Sequence, residues 1–284
     1  MIEGLRTIAP DIKVFIYLRP QYELVLSAYS TAVKSGRTMP IDLGKTERNH
    51  SYNYDRILSF WESAVGIENI TVRRFLKQYF VGGSLINEFF AMLGIEMPGD
   101  MVIPPNRNTS LDAETVEFLR LANRSLPRRD TDGRNPDRNG LILALEKISK
   151  GPRITAPAFE LAAIDEAFAN VNQRVNERYF PGATETLFPP FTGAGAGDFQ
   201  ALGTERAVEI GVALWRASRE AIAAKFAAGS ARGERRGRGR GRRRRGETPA
   251  AEAETGGALE AFAEEETFIE DDEDEASEDA MDRD

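Results

Sequence analysis

An arginine at the end of an apolar run, followed eight residues later by a serine in a helical stretch, is a combination that can hold a phosphate. In the segment KVFIYLRPQYELVLSAYSTAVKSG, residues 13–36, those two residues are Arg19 and Ser27. A guanidinium donates two parallel hydrogen bonds to phosphate oxygens and a hydroxyl adds a third; charge-assisted bonds contribute about 1.5–3 kcal/mol each. Three further groups bear chemistry. Arg73 and Arg74 end a second apolar run and point to opposite faces if that run is a strand. One of them could face a nucleotide, and the plainer reading is a solvated strand end. The only histidine, His50, sits in a polar connection and reads as solvated. Arg128, Arg129, Arg134 and Arg138 could recognise an anionic glycan or nucleotide. With three aspartates among them, however, PRRDTDGRNPDRN reads as an exposed loop.

Elements must position these groups. The run over 13–18 is too continuously apolar for a half-exposed strand and suits a buried parallel one. Pro20 fits the first position of a helix that runs to Val33 and closes at Gly36. That helix buries Val25, Ala28, Tyr29, Ala32 and Val33, with Ser27, Ser30, Thr31 and Lys34 on a polar stripe beside them. A helix over 53–64, ended by Gly66, leads into a strand over 70–75. A helix over 83–94 has Ser84 as N-cap, Gly94 as stop, and Leu85, Phe89, Met92 and Leu93 as core. Ser110 caps the next helix; others follow over 141–148 and 160–179, the latter with Leu161, Ile164, Phe168, Val171, Val175 and Tyr179 on one face. GAGAGDF reads as a flexible linker over 192–204. An amphipathic helix over 205–228 carries Val208, Val212, Trp215 and Ile222; this stripe docks on the domain or pairs with another copy, docking being the plainer reading.

The Arg-x7-Ser spacing behind a strand, Tyr29 after the serine, and the VKSG helix end together resemble the 3'-phosphate-binding motif of sulfotransferases that use 3'-phosphoadenosine 5'-phosphosulfate (PAPS). NYDRIL…FWESAVGIENITVRRF, Asn108-Thr109-Ser110 with the helix behind it, and NVNQRVNERYFPG followed by LFPPF are similar to the bacterial branch of that family. The likeness spans 13–191. It implies an α/β fold: a partial P-loop-type parallel sheet with flanking helices and a helix-rich C-terminal half, as a domain over 1–191. It implies that Arg19 and Ser27 bind the 3'-phosphate, that PAPS is the sulfuryl donor, and that a hydroxyl, on a carbohydrate, is the acceptor. In that family a phosphate-cradling loop for the 5'-phosphosulfate precedes this motif, as does a histidine base. No Gly/Ser/Thr/Lys-rich loop lies before Lys13 and His50 comes after the motif, so the chain reads as N-terminally truncated, with its catalytic residues unknown. A reading from another class is a non-catalytic nucleotide-binding remnant or an interaction protein.

Composition bounds these readings. The 284 residues contain no cysteine, no signal-peptide pattern and no run of about 18 apolar residues, so neither disulfides nor a membrane span is expected, and a cytoplasmic location is. Residues 1–228 balance 27 basic against 27 acidic side chains. Residues 229–284 hold ten and eighteen, the whole of the net charge of −8. Within this tail, 232–245 contain nine arginines and four glycines, and 264–284 thirteen acids. Neither run can build a core, so the tail is expected to be disordered. Its arginines are screened by its own acids or hold nucleic acid, the first being favoured because no aromatic residues interleave them.

Overall fold

A computed structural model describes residues 4, 6–9, 11–103, 110–130, 133–138, 140–199 and 201–239. Strands β1 (Val14–Leu18) and β2 (Ile70–Arg74) pair in parallel, with Val14 opposite Ile70 and Leu18 opposite Arg74. The crossover between them carries helices α1 (Gln21–Lys34) and α2 (Tyr54–Val65). Helices α3 (Leu85–Leu93), α4 (Ala113–Ala122), α5 (Leu141–Ile148), α6 (Ala158–Tyr179) and α7 (Thr204–Gly239) follow. The result is a mixed α/β fold: a small two-stranded parallel sheet flanked by helices, then a helix-rich C-terminal half.

Three apolar clusters hold it together; α1 supplies buried residues to two and packs Leu24 against the third. Its Tyr29 and Val33 meet Leu111, Val116 and Leu119 around α4, Leu145 of α5 and Ile210 of α7. Its Val25 meets Leu43, Ala156 and the α6 residues Leu161, Ile164 and Phe168. The third cluster lies against the sheet, where Leu18, Ile70 and Val72 pack on Tyr54, Leu58, Val65, Val175, Leu187 and Phe188. Full burial of such side chains stabilises by about 1.5–3 kcal/mol each. Residues 21–34 are therefore fixed from both sides.

Several local expectations are corrected. The cap of α4 is Asp112, which accepts from the Thr115 N–H at 2.8 Å, not Ser110, which is exposed. On α3, Leu85, Phe89 and Leu93 are exposed, while Glu88 is buried against Arg73 at 3.2 Å and Met92 lies against the Tyr17 hydroxyl. A carboxylate with a cation within reach on β2 takes the inward position there. The polar loop after Leu126 is partly structured: Arg129–Asp130 pairs antiparallel with Gly133–Arg134, and Arg138 is buried. In the stretch expected to be a linker, the Gly197 N–H donates to the Ala156 carbonyl at 3.1 Å and the Gly195 carbonyl accepts from the Thr155 hydroxyl, so this stretch is bound to the domain. Helix α7 does pack on the domain, but through Ile210 and Leu214; Val208, Val212 and Trp215 are exposed. Its backbone extends to Gly239, so the first part of the arginine run is helical. Arg240 onward, and with it the acidic run over 264–284, lies outside the described residues. Among the described residues no helix is long and apolar enough to cross a membrane.

Candidate functional site

Arg19 is the first residue beyond β1, at the carboxyl end of the parallel pair, where open α/β sheets place their ligand crevices. Its backbone is pinned: the Tyr54 hydroxyl donates to the Arg19 carbonyl at 2.6 Å, and the Phe75 N–H donates to the neighbouring Leu18 carbonyl. Tyr54 is buried, and burial pushes its phenol far above the usual tyrosine range, so it stays a donor at any physiological pH. Pro20, with extended backbone angles, stands at the N-cap of α1 rather than inside its first turn. The amides of Gln21 and Asn172 exchange two hydrogen bonds, at 2.8 and 3.0 Å, and hold the start of α1 against α6.

The Arg19 side chain lies over the Phe75 ring, 5.8 Å from its centroid, and its Nη2 donates to Glu23 Oε2 at 2.9 Å. Both members of this pair are partly exposed, at 26% and 37%. The buried Arg19 Nε has no hydrogen-bond partner. Ser27 is exposed on α1, and its carbonyl accepts from the Thr31 hydroxyl. Glu23 and Ser27 lie one turn apart on α1, roughly 6 Å along it, and Arg19, which precedes the helix, reaches back to Glu23. Glu23, bonded to Arg19, is thus the helical residue one turn before Ser27. That residue is the one the sequence reading passed over, although its i+4 spacing from Arg19 was visible. Tyr54 and Phe75, remote in sequence, gave no such signal.

The remaining candidates have structural partners. Arg74 is buried between the rings of Tyr79 and Phe180, each 4.7 Å from its guanidinium, and donates to Glu185 and Asn176. Arg73 pairs with Glu88 while its side chain stays 43% exposed, so of the two only Arg74 is withdrawn from solvent. His50 is exposed in a short 3-10 turn. Arg138 donates to the Asn123 side chain and to the carbonyls of Leu126 and Lys34 at 2.8 and 2.9 Å. Burial, with the nearby Arg128, lowers its affinity for its proton, and its donors serve the end of α1, not an external anion.

No protein-family model, curated protein or solved structure matches the chain.

Proposed function

We propose that this is a sulfotransferase-like protein with a P-loop-type lineage, which binds PAPS through Arg19 and Ser27 and passes its sulfuryl group to a hydroxyl, on a carbohydrate acceptor. The observation that carries the reading is Arg19 itself: a cation just past a parallel strand, with an orphaned Nε, at the positive end of a helix that bears the exposed Ser27.

The residues fit the 3'-phosphate end of the donor. An exposed i,i+4 ion pair such as Arg19–Glu23 is worth about 0.3–0.5 kcal/mol, whereas a phosphate accepting from Arg19 and Ser27 gains about 1.5–3 kcal/mol per bond. The anion wins, and Glu23 swings into solvent. Arg19 then binds and orients, Ser27 adds its hydroxyl, and Tyr54 keeps the Arg19 backbone in place. When bound, PAPS supplies the sulfuryl group that the acceptor hydroxyl takes up. Arg19 and Ser27 lie at the far end of the nucleotide in this reading and contribute no charge stabilisation at sulfur.

Calorimetry with adenosine 3',5'-bisphosphate tests it. Arg19→Ala is expected to weaken binding by about 10- to 100-fold. Glu23→Gln, which frees the guanidinium and removes a like charge beside the phosphate, is expected to tighten it by about two- to tenfold. Affinity that is indifferent to both substitutions sinks the site. Binding without formation of sulfated product from PAPS and a panel of sugars leaves the nucleotide-binding remnant as the correct reading.

A further inference from the structure

Helix α7 is seated by one side only. Ile210 is 1% exposed and packs, with Leu214, into the cluster around Val33 and Leu119. Arg206 ties the same helix to Glu114 at 3.2 Å. At roughly 100° per residue, Val208, Val212 and Trp215 fall on the opposite side, where they are 60%, 40% and 63% exposed. Lone exposed apolar side chains are ordinary, but three in register on a helix whose other side is already buried form a second contact face. Their gaps of four and three, continued by Arg219, are those of a two-helix seam.

Charge on this face selects the partner. Glu205 and Glu209 flank its N-terminal half, and Arg216 and Arg219 its C-terminal half, all exposed. A parallel copy of the helix would set acid against acid and base against base. An antiparallel copy, related by a two-fold axis at Val212, sets Val212 against its equivalent and Glu205 level with Arg219, and brings Val208 and Glu209 within one residue of level with Trp215 and Arg216. One register brings every pair to within a residue of level, about 1.5 Å along the axis, and such an isologous contact closes as a dimer. An acidic segment such as 264–284 complements only the arginine half.

We propose that a second copy of this chain docks antiparallel on the Val208–Val212–Trp215 face of α7. The inference does not depend on the nucleotide reading.

Sedimentation equilibrium of the full-length protein, over a range reaching high micromolar concentration, is expected to show twice the chain mass. Trp215→Glu is expected to give single-chain mass and, at concentrations too low for the dimer, an unchanged melting curve, because Trp215 is exposed and lies in none of the core clusters. Glu209→Arg and Arg216→Glu are each expected to weaken association by about tenfold or more. The double reversal, with both substitutions in one chain, should return it to within about threefold of the original. A single-chain mass for the unaltered protein at every concentration overturns the proposal. So does a dimer that survives Trp215→Glu, or a double reversal no tighter than either single one.

Discussion

Arg138 is a buried cation with no carboxylate partner among the described residues. It is tolerated because its planar donors meet the carbonyls of Lys34 and Leu126 and the Asn123 side chain. Asn123 in turn donates to the carbonyls of Val33 and Arg37 at 2.9 and 2.8 Å. The last turn of α1 leaves carbonyls unpaired, and a cation there also complements the negative end of the helix dipole. Removing the guanidinium strands these acceptors away from water. Arg138→Ala is therefore expected to destabilise the fold by about 2–4 kcal/mol, read as a fall in the urea midpoint at unchanged slope. An exposed loop arginine would change it by less than about 0.5 kcal/mol, so the measurement separates the two readings. The sequence shows four arginines among aspartates and no sign of which one turns inward, because the carbonyls that hold Arg138 belong to segments far away in the chain.

At the scale of the element, Asp112 organises the start of α4. Its carboxylate accepts from the Thr115 N–H and hydroxyl, from the Ser149 hydroxyl at 2.8 Å and from the Lys150 N–H at 3.0 Å. Burial pushes the Asp112 carboxyl up, but the hydrogen bonds from Thr115, Ser149 and Gly151 outweigh it and hold the group below the usual carboxylate range. A carboxyl depressed in the folded chain contributes stability that is complete above its unfolded value of about 4 and is lost as pH falls through the folded value. Asp112→Ala is expected to cost about 2–3 kcal/mol at pH 7, and the gap to the unaltered protein should narrow below about pH 4; a gap constant down to pH 2 would mean that the charge is irrelevant. Elements were legible where apolar period and stop signals agree: Gly94, with φ 66°, ends α3, and Leu161, Ile164, Phe168 and Val175 line α6 as their spacing requires. Facing was less legible. The pattern on α3 and α7 shows two sides, but which side turns inward depends on Arg73 reaching Glu88 and on the cluster awaiting Ile210. Neither partner is local.

For the whole molecule, α1 is the hub, with two of the three clusters built on it. The strand, the turn and the order Arg19, Glu23, Ser27 along the helix are all visible in residues 14–27. The pins that make the turn rigid come from Tyr54, Phe75 and Asn172, and sequence spacing carries no trace of them. Residues 229–284 carry the net charge of −8, and their runs of arginine, glycine and acid offer little apolar surface for a core. A chain ending at Ala228 is expected to melt within about 2 °C of the full one; a larger drop would place part of the tail in the core. The reciprocal amide pair of Gln21 and Asn172 joins positions 151 residues apart. At a synthesis rate of about 5–20 residues per second, the arginine turn leaves the ribosome roughly eight to thirty seconds before the segment that locks it. The turn must wait, half-assembled, for a helix that has not yet been made, so its locked form is reached only once residues through Asn172 have emerged.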